Sequence, residues 1–292
     1  MSSPKHTTAL AVDGGGTRCR IAVQRNGAMS CFETGSANVS TDFDGAVSQV
    51  LDGLKGVAAK MAIDIDDLVS LPAFVGLAGV TDRHIAEKLE AALPLTNVRI
   101  EDDRPAALRG ALGNHDGVIA HCGTGSFFGL KLGSDMRFSG GWGPVLGDEA
   151  SAQWVGRAVL RDTLETVDGR RTKSELANEL LDEFEGAAGI VRFAGAARPS
   201  DFGAIAPKVT DFAARGDALA ERIMSAGASE IERGLTHIGW TPGRAICLTG
   251  GIGPQFESYL PVTMQTEIVP ASGEPLSGAL RLASELENES SK

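Results

Sequence analysis

Two short stretches constrain this chain more than anything else in it. "LAVDGGGTRCRIAV" (10–23) and "DGVIAHCGTGSFFGLKL" (116–132) each run strand, glycine loop, strand. β-Branched and apolar residues flank the glycines, which predicts strands over 8–12 and 19–24 around the first loop. Gly14-Gly15-Gly16-Thr17 aligns with Gly123-Thr124-Gly125-Ser126 at an offset of 109 residues. Each loop ends in a hydroxyl residue and heads one half of the chain. The pattern reads as a duplicated unit with its boundary near Gly113–Asp116. Two unrelated hairpins with glycine tips is the alternative.

A helix-leading phosphate loop needs Gly-Lys-Ser/Thr followed by a helix, and neither is present. A glycine tip between two strands serves differently. It lets several backbone N–H groups converge on one anion, to which Thr17 or Ser126 adds a hydroxyl donor. The plainer alternative is an ordinary hairpin turn, since Asp-Gly favours positive φ there.

The remaining pattern alternates. A strand is expected near 29–33. Val47, Val50, Leu51, Leu54, Val57, Ala58 and Met61 recur at three and four, predicting an amphipathic helix from Phe43 to Met61. Then come a buried strand (72–80), a helix (82–92), a strand (97–101) and a helix from about Pro105 to Leu112. In the second half a helix-rich stretch covers 148–238 with a loop near 195–201. "RAICLTGGIGPQF" (244–256) follows as strand, glycine turn and helix start, and "EPLSGALRLASELE" (274–287) closes as a helix. Three early strands followed by alternating helix and strand describe an α/β domain with a mixed sheet.

Composition excludes several classes. A formal charge of −11 argues against a nucleic-acid or anionic-membrane surface. Cys19, Cys31, Cys122 and Cys247 are scattered, without a CxxC pair or a histidine at ligand spacing, so neither a zinc site nor a disulfide framework is expected. No run is long and apolar enough for a membrane span or signal peptide, which points to a soluble, cytoplasmic protein.

"DGGGTR", "CGTGS", "GGWGPVLGDEAS", "LTGGI" and "EPLSGALRLA" occur in that order between Asp13 and Ala283. Together they resemble the five motifs of the N-acetylglucosamine kinase and benzoyl-CoA-reductase-activator-type ATPase family, within the sugar kinase, actin and heat-shock chaperone superfamily. The resemblance implies an α/β chain of two RNase H-like (actin-like ATPase) domains, with ATP and Mg2+ in the cleft between them. The expected domains are 1–114 with the helix 275–288, and 115–274.

By that resemblance Asp13 faces Mg2+ and the phosphates, a hard oxygen for a hard cation. Gly14, Gly15, Gly16 and Thr17, with Gly123, Thr124, Gly125 and Ser126, would cradle the phosphates, while Gly250 and Gly251 would let adenine and ribose lie on the backbone. "VRIEDDRPAAL" (98–108) ends a strand in three carboxylates and opens a helix. Phosphoryl transfer to an alcohol needs one carboxylate to orient the hydroxyl and accept its proton. Asp103 best matches the family's catalytic aspartate, although adjacent Asp102 leaves the register open by one. Arg104 and Pro105 depart from the small residues usual there. Asp103 would otherwise be a helix N-cap. Asp148, Gly141, Trp142 and Asn38 would contact the sugar; alternatively Asp148 caps a helix, Trp142 is core and Asn38 is a loop residue. The five histidines have no partner at useful spacing.

The expected activity is phosphorylation of the 6-hydroxyl of glucosamine or N-acetylglucosamine. The partner is a small-molecule amino sugar, with no nucleic acid and no membrane, and a homodimer is left open. The alternative is a reductase activator coupling ATP hydrolysis to electron transfer. Such activators share a thiolate-held iron–sulfur cluster, whereas Cys122 has no second cysteine near it in sequence. A sugar-responsive repressor or a zinc-containing sugar kinase of the related repressor/kinase group would need an N-terminal DNA-binding helix pair or a cysteine cluster, and neither is expected in this sequence.

Overall fold

The structure, a computed structural model, describes residues 8–289. The chain forms two compact units, one built on residues up to Asn114 together with those from Ser272 onward, the other on His115–Ala271.

In the first unit β1 (Ala9–Gly14), β2 (Cys19–Arg25) and β3 (Ala28–Thr34) form an antiparallel meander. Asn26 and Gly27, both at positive φ, make the tight β2–β3 turn. Parallel strands require crossovers. Helices α1 (Phe43–Met61) and α2 (Ile65–Val69) lead to β4 (Ala73–Leu77), and α3 (Arg83–Ala92) leads to β5 (Val98–Glu101). The sheet order is β3-β2-β1-β4-β5, with β1, β4 and β5 parallel.

Helix α1 starts where the Asp42 carboxylate accepts the Gly45 N–H. Its buried stripe of Ala46, Val50, Leu54, Val57 and Ala58 covers Leu10, Val12, Ile21 and Val23 of the sheet. On the other face lie α4 (Arg104–Leu112) and the closing helix, α12 in chain order (Pro275–Glu289). Backbones meet closely there: a Cβ on Gly278 would collide with the Ala106 carbonyl and Gly110 N, and one on Gly110 with the Glu274 carbonyl. Because backbone cannot swing aside, Gly278→Ala should cost about 1–3 kcal/mol by overpacking. The check is a lower urea midpoint at an unchanged m-value.

The second unit repeats the meander as β6 (Gly117–Cys122), β7 (Ser126–Leu132) and β8 (Asp135–Gly140), with β9 (Ile246–Thr249) parallel to β6. Its order, β8-β7-β6-β9, matches the first four strands of the first unit. Where that unit has β5, Ile268 forms a single parallel bridge to Ile246. Two sheets of this order are the RNase H-like arrangement that the resemblance implied.

Between β8 and β9 run α5 (Ala152–Val167), α6 (Glu175–Glu183), α7 (Ala187–Ala196), α8 (Pro199–Gly203), α9 (Ala206–Ala214) and α10 (Ala218–Ile238); α11 (Val262–Gln265) follows β9. The loop expected at 195–201 is shorter than anticipated. α7 continues to Ala196, and α8 begins at Pro199, where Asp201 accepts the Arg198 N–H at 2.8 Å. Proline suits a first helical turn, which has no intrahelical use for its missing N–H.

The duplication holds with a corrected register. Gly14 pairs with Cys19 across a four-residue tip, but Cys122 pairs with Ser126 across three residues. Gly14 therefore corresponds to Cys122, and Asp13 to His121. The Gly15 N–H closes the first tip on the Arg18 carbonyl at 2.9 Å, and the Gly123 N–H closes the second on Gly125 at 2.8 Å.

Candidate active site

In the first unit the carboxyl ends of β1, β4 and β5 share one edge of the sheet, where α/β sites form. The Ala78 N–H bonds the Gly14 carbonyl at 2.8 Å, Ala37 N–H bonds Gly15 at 3.0 Å, and Val39 N–H bonds Ala78 at 3.0 Å. These bonds carry Asn38 to the same edge. Its Oδ1 accepts from the Ser40 N–H at 3.0 Å and the Ser40 hydroxyl at 2.7 Å. With its oxygen spent on Ser40, the Asn38 amide is left with its NH2 to donate. Gly79, at φ +90, lies under this turn, and a Cβ there would sit 2.7 Å from Asn38 Oδ1.

The tip glycines differ in purpose. A Cβ on Gly14 would collide with Leu77, so this glycine is needed for packing. Gly15 and Gly16 would meet nothing within 4 Å. Neither is at positive φ, so the ordinary-turn reading leaves both unexplained. Asp13, at the end of β1, pairs at 2.7 Å with Arg20 directly opposite on β2, and Arg20 also reaches Glu274.

The adjacent aspartates are told apart by their partners. Asp102 accepts the Arg104 backbone N–H at 2.9 Å and binds Arg104 Nε at 2.9 Å and Nη2 at 2.8 Å. Asp103 holds the N-cap position of α4, yet its side chain makes no cap bond. Burial, then the charges of Asp102 and Asp13, push its carboxyl up to about 7. A carboxyl poised there is suited to accept a proton near neutrality.

In the second unit Asp148 sits outside α5 in the left-handed region, at φ 61. Ser151 is the cap, accepting the Trp154 N–H at 3.2 Å. The alternative of Asp148 as a cap therefore fails. Burial, the largest influence, raises the pKa of its carboxyl, against the opposing pull of the nearby Ser126 and Gly143 backbone N–H groups. A Cβ on Gly125 would lie 2.8 Å from Asp148 Oδ2. The Ser126 hydroxyl, expected to face a phosphate, donates to the Glu149 carbonyl at 2.6 Å. Gly140, Gly141 and Gly143 are all at positive φ and turn the chain so that Trp142 is 75% exposed, not core. Gly250, at φ +80, packs on the Cys122 carbonyl and Gly123 N, whereas Gly251 has open space.

The sequence model of the BadF/BadG/BcrA/BcrD ATPase family matches residues 10–279. The chain belongs to this ATPase family. It is 27% identical over 283 residues to a glucosamine kinase of Vibrio cholerae, covering 96% of each chain. It is 31% identical over 195 residues to an N-acetyl-D-glucosamine kinase of Dictyostelium discoideum, covering 60% of each. A solved structure from Chromobacterium violaceum, provisionally assigned as an N-acetylglucosamine kinase, superposes with a TM-score of 0.82 at 28% identity, over 96% of this chain and all of the other.

The residues present fit the nucleotide of such an ATPase. The faces of Gly15 and Gly16 are open, with nothing within 4 Å of where a Cβ would stand, which leaves their backbone accessible to a phosphate. Asp13 and Asp103 lie at one edge with oxygen donors, and Mg2+ commonly takes one or two carboxylates and completes its shell with water and phosphate. No group of three or more His, Cys, Asp or Glu side chains arranged for a metal occurs among the described residues. No helix among them is long and apolar enough to cross a membrane.

Sequence reasoning passed over His121, which holds in the second unit the place of Asp13. Its Nδ1 lies 3.1 Å from the Thr249 hydroxyl, its ring stacks on Phe127 at 5.1 Å, and burial lowers its pKa to about 4. Only strand pairing brings His121 beside Thr249, so spacing along the chain carried no signal for it.

Proposed function

We propose that this member of the ATPase family is an ATP-dependent hexosamine kinase acting on the 6-hydroxyl of glucosamine, with N-acetylglucosamine second and glucose poor. The observation that carries the reading is Asp103: a carboxyl at a strand end, without a capping duty, poised near neutrality beside Asp13. The names of the relatives support the substrate class.

When bound, ATP would supply the transferable γ-phosphoryl group and Mg2+ would spread its charge. Asp103 would orient the sugar hydroxyl and take its proton as the oxygen attacks the γ-phosphorus and the bond to the β–γ bridging oxygen breaks, releasing ADP. Asp13 would hold the Mg2+. Gly15, Gly16, Thr17, Gly123, Thr124 and Gly125 offer backbone to phosphates, and Gly250–Gly251 offer it to the nucleoside. Ser126, whose hydroxyl is taken by the Glu149 carbonyl, would act through its backbone N–H, which opposes the rise in the Asp148 pKa. The Asn38 amide and the Asp148 carboxylate hydrogen-bond sugar hydroxyls, with Trp142 and Gly141 as a wall. Such polar sites reject analogues lacking a hydroxyl, since buried groups are left unpaired.

The test is sugar-dependent ADP release over a hexosamine panel, with 6-deoxy sugars as inert controls. Asp148→Ala should raise the sugar KM roughly 10–100-fold, the loss of a hydrogen bond to a charged group, and leave the ATP KM little changed. Steady ATP hydrolysis that ignores every hexosamine would shift the reading to the activator class. One observation stands against that class: Cys122 is fully buried and its thiol is pushed up to about 12, so it offers no thiolate to a cluster.

A further inference from the structure

Two adjacent aspartates at a strand end present a chemical problem. Either could reach a substrate hydroxyl, and two unpaired carboxylates side by side repel each other. We infer that Arg104 is a positioning residue for the phosphoryl transfer: it pins Asp102 against the start of α4, so that Asp103 alone is presented to the hydroxyl. The inference rests on the kinase reading.

Three hydrogen bonds from one residue hold Asp102, one from the Arg104 backbone and two from its guanidinium, at 2.8–2.9 Å. Both side chains are largely covered, 29% and 22% exposed. A guanidinium donating through Nε and Nη2 fixes a carboxylate in orientation as well as charge, which a lysine ammonium cannot do. Asp103 itself stands at the N-cap of α4 but makes no side-chain cap bond, so its carboxyl is not spent on the helix start. The same device recurs across the edge, where Arg20 holds Asp13 with both side chains 14% exposed. Two of the three aspartates here are therefore each held by an arginine, while Asp103 accepts no side-chain cap bond.

Three proteins test this: Arg104→Gln, Arg104→Lys, and Arg104→Gln combined with Asp102→Asn. Freed from its fork, Asp102 competes with Asp103 for the hydroxyl. In Arg104→Gln kcat should fall about 10–100-fold, the scale of a small misplacement of reacting groups, with both KM values within about threefold of wild type. Arg104→Lys should be intermediate. The double variant should recover most of the lost kcat, because a neutral amide in place of the Asp102 carboxylate still accepts the helix N–H and no longer competes. A merely structural role for Arg104 would not be rescued this way. An unchanged kcat in Arg104→Gln, or a double variant as slow as the single, overturns the inference.

A second readout needs no turnover. Carbodiimide-driven amide labelling, located by fragment mass spectrometry, should leave Asp102 protected in the wild-type protein and modified in Arg104→Gln. Equal labelling in the two proteins also overturns it. If the wild-type protein phosphorylates no hexosamine, the kinase reading fails, and the labelling still decides whether Arg104 sequesters Asp102.

Discussion

Asp103→Asn lowers kcat by about 10²–10⁴, the usual range for loss of a general base, while ATP binding persists. The same change raises stability at high pH. Burial and neighbouring carboxylates raise the folded pKa of Asp103 to about 7, against roughly 4 in an unfolded chain. Between those values the folded state binds more protons than the unfolded, so stability falls as pH rises through that window. The amide of the variant does not titrate. Asp103→Asn should therefore match wild type below about pH 4 and exceed it by about 2–4 kcal/mol at pH 8. Urea unfolding at the two pH values, beside sugar-dependent turnover, measures both halves. Asp102→Asn is the control, and should retain most of the activity. An inactive Asp102→Asn beside an active Asp103→Asn would reassign the base by one residue.

Gly15→Val weakens ATP binding by roughly 10–100-fold, as expected when charge-assisted hydrogen bonds to phosphate are blocked, and leaves the fold intact. Nothing within 4 Å meets a Cβ at Gly15, so folding has no objection to the side chain. Gly125→Val should do more. A Cβ there approaches Asp148 Oδ2 to 2.8 Å, so the carboxylate must move and the sugar KM rises along with the ATP dissociation constant. Titration calorimetry with ATP, together with the two KM values, separates the variants. Unchanged ATP affinity in both would remove the phosphate role of the tips.

Much of the architecture was legible because it depends on local chemistry. The apolar spacing of α1 and the glycine tips between strands are properties of neighbouring residues, and the structure has these elements where they were expected. The register of the duplication was off because tip length depends on which residues pair across strands, and Ser126 belongs to β7 and not to its loop. The two hydroxyl residues that looked alike therefore differ. Thr17 is exposed at the first tip, and the Ser126 hydroxyl is used on the Glu149 carbonyl.

The order of strands, the glycine tips and the acidic strand end were determined by the sequence itself, since periodicity, turn propensity and charge act over a few residues. Tertiary structure decided how those groups are used. Strand pairing set Arg20 opposite Asp13, and chain turns committed Asn38 Oδ1 to Ser40 and put Asp148 in the left-handed region outside α5. Which aspartate is left without a guanidinium follows from where the long Arg104 side chain comes to rest, and from how much water folding removes around Asp103. Hydrogen-bond partnership and desolvation are properties of assembled surroundings, so two adjacent letters that read alike carry different chemistry once folded.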